Sequence, residues 1–142
     1  MKRIVILLLL VFAACSSNPG PKDVVFKFIK AVKISDSLAV TQILDTDAYI
    51  KMRMVEMSPE DSAQVLAEER VKVIQSLIGD GETRRYWTKP EMRILVNKAR
   101  ITEDDADVDV SYMDKQTGQL IYTQVLLKRQ PDGTWRITYF KQ

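Results

Sequence analysis

The chain of 142 residues contains no histidine and a single cysteine. Without histidine there is no imidazole for acid–base catalysis, no Ser-His-Asp triad, no Asp–His dyad and no histidine ligand for zinc. One cysteine cannot form an internal disulfide, so the fold rests on its hydrophobic core. Any chemistry must come from carboxylates, Tyr, Lys or Arg. No internal repeat or low-complexity tract occurs, and strong net charge is missing too. The 21 basic residues stand against 19 acidic ones, and both extra cations, Lys2 and Arg3, lie at the very start. Without them the chain is balanced, which gives no electrostatic reason to expect nucleic acid as a partner.

What is present at the start has a definite order. Lys2 and Arg3 precede an unbroken apolar run from Ile4 to Phe12, then Ala13, Ala14 and Cys15. Basic, apolar and small segments in that order describe a secretory signal. The apolar run is well short of the roughly 20 residues that span a bilayer. Phe12-Ala13-Ala14-Cys15 resembles the bacterial lipobox, with Phe12 standing where that family prefers Leu or a smaller aliphatic residue. The resemblance implies cleavage before Cys15, acylation (palmitate or a similar chain) of its thiol, and acylation of the new amino terminus. Ser16 at the following position implies, in a Gram-negative host, an outer-membrane lipoprotein facing the periplasm. The expected layout is a signal peptide over residues 1–14, a lipidated tether over 15–21 rich in Pro and Gly, and one domain over 22–142.

Within that domain, residues 22–34 place Val25, Phe28, Ile29 and Val32 at helical spacing, with four lysines largely off the stripe. Ser35-Asp36-Ser37 offers a break and a new cap, and Leu38, Ala39, Ile43 and Leu44 carry a second, short helix. Residues 49–57 suit either strand or helix. Ser58-Pro59-Glu60-Asp61 is a helix start. That helix runs to Ile78 with Leu66, Val73, Ile74 and Leu77 on one stripe, and Gly79 stops it. From Glu91 the period changes to two, and four strands follow, separated by turn signals near Glu103, Gly118 and Gly133. Helices first and an antiparallel meander afterwards predict an α+β fold.

Two segments carry a further resemblance. One is the helix pair VVFKFIKAVKISDSLAVTQILD, the other the hairpin Pro131-Asp132-Gly133-Thr134-Trp135-Arg136-Ile137. With the element order between them they resemble the cone-shaped superfamily named after nuclear transport factor two. It includes ketosteroid isomerase and scytalone dehydratase. A cystatin-like domain has a similar order of elements. The resemblance implies N-terminal helices packed on a curled antiparallel sheet of about four strands, with a pocket at the open end. In enzymatic relatives that pocket holds an Asp, His or Tyr acting on protons. Fold by itself does not establish catalysis.

Four residues are candidates for lining such a pocket: Tyr112, Tyr122 and Trp135 at the mouth and Phe28 as the floor. Arg84-Arg85-Tyr86-Trp87 is a basic–aromatic patch, read as a loop that tucks Trp87 over the edge of the core. The acidic run Glu103 to Asp109 invites a calcium reading. Val110 and Gln116, however, stand where a calcium loop starting at Asp105 needs glycine and glutamate, so a solvated strand face is expected and no metal or cofactor. The leading functional expectation is a lipid-anchored, non-catalytic module for a small apolar ligand or an envelope protein. An enzyme of the same fold would need a buried carboxylate with a raised pKa. A structural subunit of an envelope complex would need a contiguous apolar patch on the outer sheet face.

Mass spectrometry of the membrane fraction tests the leader reading. The wild-type amino-terminal peptide should begin at an acylated Cys15, and Cys15→Ala should leave the leader attached and unacylated. An intact, unmodified wild-type terminus would overturn it.

Overall fold

Pro21 opens the first helix of the computed structural model, which describes residues 18–54 and 63–141. The expected leader, Cys15, Met57 and the helix start at Ser58–Asp61 lie outside those residues. Helix α1 (Pro21–Lys33) carries Asp23 in its first turn and Lys30 and Lys33 in its last, which suits both ends of the helix dipole. Its inner face buries Val24, Val25, Phe28, Ile29, Ala31 and Val32. The chain reverses at Ser35, which adopts a φ of 59°, and its hydroxyl accepts a hydrogen bond from the Gly79 amide at 2.7 Å.

Two short helices follow, each started by an aspartate. Asp36 accepts from the Ala39 amide to begin α2 (Ser37–Ile43), and Asp45 accepts from the Ala48 amide to begin α3 (Thr46–Arg53). The ambiguous segment is therefore helical as far as Arg53, because the Asp45 cap pre-empts a strand and helical geometry buries Tyr49 and Ile50 side by side. In α2 the buried residue is Val40, whereas Leu38 is exposed. That corrects the expected stripe: the Asp36 cap sets the helix phase and points position 38 outward. Helix α4 (Ala63–Leu77) buries Val73 and Leu77, with Leu66 and Ile74 half-buried, and Gly79 ends it at a φ of 55°.

Arg84 to Trp87 is not a loop. It belongs to α5 (Glu82–Trp87), where Thr83 and Trp87 lie one turn apart and both are buried. Gly81 precedes it, and a Cβ there would collide with the Gln75 and Ser76 carbonyls, so α5 can turn back tightly against α4 only with glycine at this point.

The strands are β1 (Met92–Thr102), β2 (Asp105–Asp114), β3 (Leu120–Arg129) and β4 (Trp135–Phe140), paired antiparallel in the order β1-β2-β3-β4. Their inner face is set by register: Val96 opposes Val110, Val108 opposes Val125, and Ala106 opposes Leu127. The outer face alternates with it and carries Asp105, Asp107, Asp109 and Lys128. Register shifts between Val96 and Ala99 and between Leu126 and Leu127. The second shift alters the expected alternation in β4. Trp135, Ile137 and Phe140 are buried, and Tyr139 is only half-buried, because the irregularity at Thr138 moves the phase by one residue.

The helical layer is fastened to edge strand β4. The Asp45 amide donates to the Ile137 carbonyl at 2.8 Å, and the Arg136 guanidinium donates to the Leu44 carbonyl at 2.7 Å. Between the layers sit Phe28, Trp87 and Phe140. Phe28 meets Trp87 edge-on at 6.1 Å and Phe140 at 5.4 Å. Among the described residues no helix is long and apolar enough to cross a membrane.

Phe28 and Phe26 make a contrasting pair for mutagenesis. Phe28→Ala should cost about 3–5 kcal/mol, because it empties a site between three elements. Phe26→Ala should stay within about 0.5 kcal/mol, because that ring is 63% exposed. Denaturant unfolding of both variants measures the difference, and equal effects would contradict this placement of the core.

Candidate ligand pocket

Beside Tyr112, where the inner face of β2 and β3 ends, lies a pocket of about 680 Å³ between α5 and the first half of β3. Its walls are Thr83, Tyr86 and Trp87 from α5, Tyr112 from β2, and Ile121, Tyr122 and Thr123 from β3. Tyr112 stands at the centre. Its ring lies 6.4 Å from Tyr86 and 6.1 Å from Trp87, and Ile121 is its partner across the β2–β3 ladder. Three phenols and an indole therefore line one space, a surface suited to flat or apolar groups.

The rim is charged, and mostly of one sign. Arg85, Lys89 and Lys141 supply three cations against the single carboxylate of Glu82. The Lys89 ammonium lies 5.3 Å from the Tyr86 ring centre, so one cation is already held over an aromatic face. Burial pushes the Tyr112 phenol well above the ordinary tyrosine value of about 10. It is a neutral hydrogen-bonding group at any physiological pH, and not a base.

Of the four lining candidates, the structure brings Tyr112 and Tyr122 together here. Tyr122 belongs to the outer face by register, opposite Ser111, and forms an exposed lip of the pocket. Trp135 lines a separate groove of about 1040 Å³ between α1, α2 and the β3–β4 turn, where the Arg129 guanidinium lies 4.7 Å from its ring. Phe28 packs in the core against Trp87 and Phe140 and lines neither space. Arg85 and Tyr86 come from the basic–aromatic patch, whereas Lys89, Ile121 and Lys141 carry no local signal of a site. Only a helical reading of 82–89 joins Lys89 to the patch, since Glu82, Arg85, Tyr86 and Lys89 fall at i, i+3, i+4 and i+7. Arg84, their neighbour, instead donates to the Gly79 and Lys33 carbonyls and joins α5 to α1 and α4.

The other carboxylates lie elsewhere. Asp107 and Asp109 on the outer sheet face both pair with Arg100. That pairing, made chiefly through the Arg100 hydrogen bonds, holds Asp109 below its usual range. The hydrogen bond from Arg70 does the same for Asp47, and Thr134 does so for Asp132 in the last turn. Among the described residues no Asp or Glu is buried, and no group of three or more is placed to hold a metal ion. The exposed large apolar residues of the outer face are Leu120 and Tyr122, confined to one end of β3.

No protein-family model matches the chain, and no curated protein does. Solved structures do show similarity. A candidate NTF2-like transpeptidase from Campylobacter jejuni is 17% identical, with 84% of this chain and 97% of that one covered and a TM-score of 0.49. A candidate ketosteroid isomerase from Shewanella frigidimarina is 21% identical over 83% and 90%, with a TM-score of 0.44. A ketosteroid isomerase-like protein from Erwinia carotovora atroseptica is 17% identical over 84% and 88%, with a TM-score of 0.43.

The buried phenol has a pH signature. The unfolded chain releases the Tyr112 proton near pH 10, whereas the folded chain retains it, so stability falls as pH rises beyond that value. Tyr112→Phe should remove this component. Unfolding free energies of both proteins between pH 8 and about 11 should diverge only above the tyrosine range, and parallel curves would show that Tyr112 is not held neutral.

Proposed function

We propose that the chain is a lipid-anchored lipoprotein of the cell envelope whose domain binds a small ligand with an apolar or aromatic body and a negatively charged end. The observation that carries the ligand reading is the pocket itself, aromatic inside and cationic at its rim. An apolar group entering it leaves water for contact with Tyr86, Trp87, Tyr112 and Ile121. A carboxylate or phosphate at the mouth meets Arg85, Lys89 and Lys141, where charge-assisted hydrogen bonds fix its orientation. The anchor reading is supported by the order of residues 2–15, with acylated Cys15 as the link to membrane lipid.

This reading is non-catalytic. Proton transfer in the pocket would call for a group that accepts a proton near neutral pH. The pocket presents a phenol held protonated, three cations and Glu82 on the exposed side of α5. The geometry supports holding a ligand more directly than transforming it.

Calorimetric titration with decanoate and 1-decanol separates the two halves of the proposal. Decanoate should bind about tenfold more tightly, the size expected of one charge-assisted contact. Arg85→Ala with Lys89→Ala should sharply reduce that preference, leaving only the contribution of Lys141, with decanol binding nearly unchanged. Tyr86→Ala should weaken both probes. Binding of neither probe, or an undiminished preference in the double variant, would sink the assignment. Native mass spectrometry of protein from the envelope fraction would then identify a co-purifying molecule.

A further inference from the structure

One face of α1 is used by neither the core nor the pocket. Lys22, Phe26, Lys30 and Ile34 follow one another at intervals of four, so they form a single row along the helix and its cap. All four are exposed, and the two apolar members are each 63% exposed. Lys27 and Lys33 flank the row, and Asp23 is the only acidic residue of the helix. Among the described residues, none of these four lysines has an ion-pair partner, although Arg70, Lys72 and Arg100 all do. The opposite face of α1 is committed to the core, and Lys30 and Ile34 also border the groove beside α2.

We propose that this row is a docking surface for anionic lipid headgroups, and it rests on the anchor reading above. Alternating lysine and large apolar residues along an exposed helix face suits a headgroup layer. The Phe26 and Ile34 side chains enter the acyl boundary while the lysine ammonium groups stay at phosphate level. The four lysines span about 16 Å along the helix, enough to meet several headgroups. Position favours the same occupant. Pro21 follows Cys15 by six residues, which extend to about 20 Å at most. An acylated Cys15 therefore keeps α1 close to the bilayer, where an otherwise weak polybasic contact becomes intramolecular. Asn18 donates to the Asp132 carbonyl at 3.2 Å, which holds the chain entering α1 against the β3–β4 turn. None of the residues lining the pocket comes from α1, so docking and ligand entry use different surfaces.

The test uses the acylated protein with Phe26→Cys carrying a nitroxide, reconstituted in two kinds of vesicle. In vesicles containing phosphatidylglycerol, position 26 should lose access to a water-soluble relaxant and gain access to oxygen, severalfold relative to pure phosphatidylcholine. Each of Lys22→Gln and Lys30→Gln should lower the docked-to-undocked ratio about fivefold, and high salt should act the same way. Equal water access in both vesicle types would overturn the docking face, as would equal protection in both. Acylation is read separately from the mass of the amino-terminal peptide, so a missing anchor is not confused with a missing contact. If the anchor is missing, the unanchored chain must float with phosphatidylglycerol vesicles and not with phosphatidylcholine ones; floating with neither, or with both alike, overturns the face.

Discussion

Phe28 is the contact on which the two layers depend. It comes from the middle of α1 and touches Trp87 at the end of α5 and Phe140 at the end of β4, three segments far apart in sequence. Aromatic rings meeting edge-on contribute about 0.5–1.5 kcal/mol beyond the area they bury. More important is what the contact decides geometrically. With Phe28 wedged between Trp87 and Phe140, α1 packs across β1, β2 and β4, and the hydrogen bonds from Arg136 to Leu44 and from Asp45 to Ile137 hold α2 and α3 along the β4 edge. The helices therefore cover one end of the inner face and leave the other to α5.

The pocket is the consequence. The inward row of β2 runs Ala106, Val108, Val110, Tyr112, and across the ladder β3 contributes Leu127, Val125, Thr123 and Ile121. Its first members are packed under the helices. Its last members, Tyr112, Thr123 and Ile121, emerge beside α5, where Trp87 faces the core and Tyr86 faces outward. Trp87 thus serves both sides, touching Phe28 and Phe140 on one and Tyr112 on the other. The pocket is aromatic where it meets the core and charged where it meets water.

Charge is sorted just as clearly. Carboxylates begin helices at Asp36 and Asp45, close turns at Asp114 and Asp132, or pair with arginines on the outer sheet face. Among the described residues, the cations without an ion pair include those at the pocket rim and along α1. A chain with nearly balanced charge can thus present basic surfaces, because several of its acidic residues are engaged in caps, turns and ion pairs.

Much of the fold was legible in the chain. The aliphatic stripe of α1, the Asp36 cap, the stop at Gly79 and the period-two segments with their turn glycines each follow from a local rule, because caps, turns and face alternation depend on neighbours in sequence. The expectation of helices on an antiparallel sheet of four strands followed from their order. Residues 49–57 could not be decided from their own pattern, since Tyr49 and Ile50 satisfy either periodicity until Asp45 is seen to cap. Nor could the phase of β4 be read beyond Ile137, because the irregularity at Thr138 is set by pairing with β3. The composition by itself removed imidazole and disulfide chemistry and set Cys15 apart as the one thiol. Only the tertiary structure decided that Tyr112 and Tyr122 share a pocket while Phe28 and Trp135 do not. Local rules assign a side chain to a face of its own element, whereas membership of a site depends on which faces long-range packing leaves uncovered.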